Sequence, residues 1–216
     1  MRSLAPDTPA REKILDAAEE LFARRGFAGV GLSEIADAVG LGKSSLFHHF
    51  ATKAQLYAAV VDRILHEIDD ALTQALAAGG SPVERLDRWI DTIVDLLGAR
   101  PSHARLLLRS LFEDDELTGS SDEERAADQT LARIIESVSR LLREGMAGGT
   151  LRAANIPHTL QSLIGLVIYH FASGDFGAEL LGRSVLAPAE VKRRKDEIKA
   201  LLHHGLVVRG AAHRGD

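Results

Sequence analysis

Apolar residues recur along this chain every three or four positions and rarely alternate, a period that predicts helices. Ile14, Leu15, Ala18, Leu21 and Phe22 form the first stripe, which Pro9 opens behind a Thr8 cap and Gly26 stops. Short helices follow over 34–39 and 43–50. A long one runs over 53–77, from a Thr52 cap to Gly79-Gly80, and others cover 82–97 and 101–112. Residues 113–121 are acidic and turn-rich and read as a surface loop. Ser121 and Glu124 make a capping box for a helix over 122–146, which stops at Gly148-Gly149. The last two helices cover 155–172 and 188–204. Ala and Leu dominate, β-branched residues are scattered, and no stretch reads as a strand. The expectation is an all-α chain of about nine helices, with a three-helix helix-turn-helix domain over 8–55 and a larger helical domain over 56–210.

Residues 32–50 carry the sharpest signal. Ile35, Ala36 and Val39 share one apolar side, Gly40 accepts the positive φ of a reversing chain, and Leu41 plugs the turn. Leu46 and Phe50 point inward from the second helix, which turns Lys43, Ser44, Ser45, His48 and His49 outward. Such a second helix can lie in the DNA major groove. No Asp or Glu occurs between Asp37 and Asp62, where simple proportion predicts about three. A surface that docks on phosphate excludes carboxylates, which would repel it. Residues 1–55 nevertheless balance seven Lys/Arg against seven Asp/Glu, and the whole chain carries −5. DNA binding should therefore be local and geometric. An ordinary helical hairpin could share the A-x-x-x-G turn, but not also the helix lengths, the following aromatic and the acid-free face.

Other chemistries find little footing. There is no cysteine, hence no disulfide or thiolate metal site. The first residues lack the apolar core of a signal peptide, and the longest apolar run, 163–169, is too short to span a bilayer, so a cytoplasmic location is expected. No G-x-S-x-G, P-loop or G-x-G-x-x-G occurs, so neither a catalytic residue nor a cofactor is expected. The chain has nine histidines but no H-x-x-x-H pair, and the adjacent His48-His49 and His203-His204 diverge by about 100°, so no metal site is expected. The basic run at 192–195 reads as a solvated face.

Several elements in order resemble the TetR family of transcriptional regulators. They are R-x-x-I-L-D-A-A over 11–18, A-x-x-L-F-x-x-x-G-F over 18–27, S-E-I-A-x-A-x-G over 33–40, S-L-F-H-H-F over 45–50 and T-K-x-x-L over 52–56. The resemblance implies amino-terminal helices that bind DNA, a carboxy-terminal ligand pocket, and a dimer bundle formed by the last two long helices. Carried onto this chain, it puts Lys43, Ser44 and Ser45 in the groove and His49 and Lys53 on phosphate. Lys43 is the first choice for a base contact, because Lys donates to guanine O6/N7. Three departures from the family pattern involve four positions. Phe47 stands where Tyr is usual, leaving only sugar or thymine-methyl packing. Val30 and Gly31 replace a hydroxyl pair, and Gly42 replaces a Ser cap. An alternative is therefore a helical adaptor whose DNA-binding module has weakened.

In the larger domain, Leu160, Ile164, Val167, Ile168 and Phe171 form one apolar side, and Val191, Ile198, Leu201 and Leu202 another. Each stripe is either monomer core or half of an isologous four-helix bundle. DNA geometry favours the dimer, since two recognition helices must sit about 34–36 Å apart and one chain supplies one. Gly165 would permit close helix approach. A pocket between the helices would draw its wall from Trp89, His103, Leu107, Leu111, Phe112, Ile135, His170 and Phe171. Its mostly apolar wall suits a small apolar or amphipathic ligand. The expected function is a homodimeric, ligand-released repressor on a pseudo-palindromic operator.

Overall fold

The structure, a computed structural model, describes residues 8–110 and 121–208. They form ten helices: α1 (Thr8–Arg25), α2 (Leu32–Ala38), α3 (Lys43–His49), α4 (Lys53–Ala77), α5 (Pro82–Ala99), α6 (Pro101–Ser110), α7 (Asp122–Ala147), α8 (Ile156–Ala172), α9 (Gly174–Leu181) and α10 (Pro188–Gly205). An isolated bridge between Leu151 and Val207 is the one β pairing among the described residues. Thr52 caps α4 by accepting from the Gln55 N–H, and Ser121 and Glu124 make the reciprocal box at α7. Ser81 and Glu84 do the same at α5.

The sequence reading anticipated about nine helices and missed α9, whose eight residues include two glycines. Gly177 is required by packing, because a Cβ there would lie 2.9 Å from Val185 and closer still to Ser173 Oγ. This additional helix, α9, thus exists where local propensity argues against it.

α4 is the central pillar, packed on α7, α5 and α1. Its Tyr57 enters the amino-terminal module, meeting Phe22 and Phe27 edge-on at 5.1 and 5.3 Å. Farther along, Ile64, Ile68 and Leu72 belong to the larger domain's core. One hydrophobic core therefore runs unbroken through the expected boundary at 55/56.

Most of the two carboxy-terminal stripes faces its own chain, Leu201 excepted. Leu163, Val167, Phe171 and Ile198 are all at most 2% exposed. α10 is strapped to α5 by an antiparallel ladder: Lys195 to Asp95, Lys199 to Asp91 and His203 to Asp87, at 2.8, 2.7 and 2.8 Å. The basic run at 192–195 is thus not a uniformly solvated face, and Arg194 donates to the Leu166 carbonyl of α8. What α8 leaves bare is a different face, with Gln161, Ser162, Gly165 and Tyr169 exposed. On α10 the exposed apolar residue is Leu201.

Candidate nucleic-acid interface and apolar cavity

α3 is held from one side only. Leu46 and Phe50 are 0% and 1% exposed, and Arg11 lies over the Phe50 ring. Gly40, at φ +67°, turns the chain between α2 and α3, and the Leu41 N–H returns to the Ala36 carbonyl at 2.9 Å. This leaves Lys43, Ser44, Phe47 and His48 exposed on the outer face, with Ser45 and His49 half-buried at its margins. Phe47, at 43% exposure, is a large apolar side chain facing water on that helix. Gly31 and Gly42 occupy the caps of α2 and α3 with extended backbone and no side-chain hydrogen bond. Upstream of the acid-free stretch, the Glu34 carboxylate is paired with Arg25.

Lys53 differs from its sequence assignment. Its ammonium donates to the Phe27 carbonyl at 2.9 Å and stands over the Phe27 ring at 4.1 Å. A four-carbon stem lets the head fold back onto the module rather than outward, so its first visible task is to seat α4 on the α1–α2 connection.

Behind α4 lies a cavity of about 690 Å³, in the range of small-molecule sites. α4 contributes Val61, Leu65, Ile68 and Leu72, α5 adds Trp89 and Ile93, and α8 adds Ile164 and Ile168. α7 supplies Leu131 and Ile135, both more than a third exposed, along the cavity's open edge. Of the wall residues expected from sequence, Trp89, Leu107 and Ile135 line it. His103, Phe171 and His170 do not: His103 turns to α1, Phe171 is core, and His170 stands edge-on to Phe171 at 4.8 Å. Burial, with Arg194 nearby, lowers the His170 pKa. Leu111 and Phe112 lie outside the described residues.

The spacing of apolar positions does not single out the cavity's two acidic lining residues, Glu124 and Asp128. The S-x-x-E spacing marks Glu124 only as a helix cap. It is that, accepting from the Ser121 N–H at 3.2 Å, and it also borders the cavity. Its neighbour Glu123 accepts from Gln55 Nε2 at 2.9 Å, while Gln55 Oε1 accepts from the Ala51 N–H at the α3–α4 junction. The first turn of α7 therefore borders the cavity on one side and, through Gln55, reaches the α3–α4 junction on the other.

A second bridge joins the modules. Glu19 of α1 accepts from Arg63 of α4 at 2.7 Å and from Ser102 of α6 at 2.7 Å. Among the described residues, no three His, Asp or Glu side chains converge as a metal site, and no helix is long and apolar enough to cross a membrane.

Comparison with known proteins places both modules. The family model for bacterial regulatory proteins of the tetR family matches residues 14–60. A second, the tetracyclin repressor-like carboxy-terminal domain, matches residues 82–201. The transcriptional activator FasR of Mycolicibacterium smegmatis is 33% identical over 113 residues, 52% of this chain, which spans only half of FasR's length. The repressor KstR2 of the same species is 27% identical over 162 residues, 69% of this chain and 73% of KstR2. The solved structure of AibR with isovaleryl coenzyme A and operator DNA has the same fold, with a TM-score of 0.73 at 19% identity, covering 89% of this chain and 97% of AibR.

Proposed function

This chain belongs to the TetR family of DNA-binding transcriptional regulators, and from that premise we propose that it is a homodimeric repressor released from a pseudo-palindromic operator by an apolar or amphipathic small molecule. The observation that carries the DNA side of the reading is α3, anchored through buried Leu46 and Phe50 and presenting Lys43, Ser44, Phe47 and His48 outward. No carboxylate occurs between Asp37 and Asp62 to oppose its approach to phosphate. In this reading Lys43 reads a base, Ser44, Ser45 and Phe47 line the groove, and His48, His49 and the Gly31 N–H meet the backbone. Lys53, its ammonium engaged by the Phe27 carbonyl and ring, seats α4 and does not neutralise a phosphate in this reading.

The 690 Å³ cavity supports the ligand side, and its contacts suggest a route for the signal. A ligand that displaces the first turn of α7 would pull on Gln55 through Glu123, and hence on the α3–α4 junction. α4, which lines the cavity and enters the amino-terminal core, would tilt with it. Ligand and operator then disfavour each other reciprocally, typically by about 1–3 kcal/mol.

For the dimer, the bare face of α8 together with Leu201 of the α10 stripe is the better candidate, since most positions of the apolar stripes named from sequence are used within the chain. Tyr169 and Leu201 are 53% and 57% exposed on the two neighbouring helices. AibR, a protein of the same fold, is solved with operator DNA and an acyl thioester, which supports both partners by analogy.

The test is titration into labelled DNA from upstream of the chain's own gene, with a scrambled competitor, at two salt concentrations. Selective binding that saturates at two chains per site is the expected result. Equal, weak binding to both DNAs would favour the adaptor reading, for which the side-chain-free caps at Gly31 and Gly42 speak.

A further inference from the structure

Resting on the ligand-responsive reading, we infer that the cavity is selective for a hydrophobic cation, an amine-bearing amphiphile, over a fatty-acid anion. Every charged residue lining it is acidic: Glu124 and Asp128, with no Lys, Arg or His among the described lining residues. The sequence of residues 111–120, between the two lining helices α6 and α7, contains no base either. Glu124 is 6% exposed, so its carboxylate acts with little solvent screening. Asp128 stands one turn along α7, exposed at the open edge with Leu131 and Ile135. A ligand entering there lays its apolar body against Leu65, Ile68 and Ile93 and leaves its head beside the two carboxylates. A carboxylate head would meet like charge without a counter-ion, and an ammonium head finds its partner there.

Trp89 adds a second requirement. It is 4% exposed, lines the cavity, and its indole N–H has no hydrogen-bond partner. A ligand carrying an ether or carbonyl oxygen would satisfy that donor, and its absence leaves a buried polar group unpaired. This donor gives an anionic head no counter-charge.

Four probes with one chain length separate the possibilities: dodecylamine, dodecanol, dodecanoate and dodecanoyl coenzyme A, each below its micelle threshold. Calorimetric titration gives affinity. Emission from Trp89, the chain's one tryptophan, reports occupancy of this cavity and no other place. The expected result is that dodecylamine binds at least about tenfold tighter than dodecanoate, with dodecanol between them. Glu124→Gln with Asp128→Asn should erase the preference and leave dodecanol within about threefold, since Gln keeps the helix cap. Asp128→Asn alone, at an exposed position, gives a partial loss by the same readout if the double variant fails to fold. Equal or tighter binding of dodecanoate or its thioester would overturn the inference and leave the ligand-responsive reading standing. So would an amine preference that survives both substitutions. No change in Trp89 emission with any of the four would overturn both.

Discussion

Glu19 of α1 and His103 of α6 meet across the junction of the two modules, Oε1 to Nε2 at 3.3 Å. His103 is fully buried, and the same carboxylate accepts from Ser102 of α6 and Arg63 of α4, so side chains from two other helices converge on it. Burial opposes ionisation of Glu19, but His103, Ser102 and Arg63 outweigh it and hold its pKa down at about 2, against an ordinary 4.5. A depressed carboxylate stabilises the fold above its unfolded-state pKa and loses that contribution as pH falls from 4.5 towards 2. The full contribution is up to about 3 kcal/mol. Glu19→Gln should therefore flatten the fall in urea midpoint between about pH 5.5 and pH 3. An unchanged pH slope would mean that the pairing adds no stability.

Lys43 is the base reader of the proposed interface. Lys43→Ala should cost about 1–3 kcal/mol at one base position and relax specificity there, leaving the others intact. A panel of operators with single substitutions, titrated at fixed salt, gives the profile. Uniform loss across the panel would make Lys43 a phosphate contact instead.

Lys53 should behave differently because its ammonium is engaged within the chain. Lys53→Met removes the hydrogen bond to Phe27 and the ring contact, and should lower stability by about 1 kcal/mol. Binding should weaken alike on all sequences with the salt slope unchanged. A slope reduced by about one would show a phosphate neutralised by this side chain.

How far these roles were legible in the sequence depends on whether local period decides them. Leu46 and Phe50 were readable as inward because a seven-residue helix on a core has one buried side, which their spacing marks. α9 was hidden because Gly177 serves a contact to Val185, a residue eight positions on. His103 and Leu107 share a face of α6 by spacing, yet only Leu107 reaches the cavity. One turn earlier, Glu19 arrives from α1, and nothing in the period of α6 announces it. Glu124 was masked by its own motif, since a complete capping box left no reason to look for a second role.

Gln55 tests the signal route. It joins Glu123 of α7 to the Ala51 N–H through the two ends of one amide. Gln55→Ala should reduce the coupling between ligand and operator by about 0.5–2 kcal/mol. The measurement is the ratio of operator Kd with and without saturating dodecylamine. A ratio equal to that of the parent chain would remove this path and leave the tilt of α4 as the carrier.

Gly165 separates monomer packing from assembly. A Cβ built there meets nothing within 4 Å, and the residue is exposed in mid-helix on α8. In the isolated chain an alanine would therefore fit without strain and strengthen the helix by about 1 kcal/mol. If α8 packs against a second copy across this face, a larger side chain keeps the two helices apart at their point of nearest approach. Gly165→Leu should then fold normally by circular dichroism yet sediment as a monomer at concentrations where the parent chain is a dimer. Its DNA binding should fall steeply, because one recognition helix cannot hold a palindrome that needs two. A Gly165→Leu chain that remains dimeric and binds the operator as before would exclude this face and move the interface to α9, where Phe176 and Leu180 are 59% and 74% exposed.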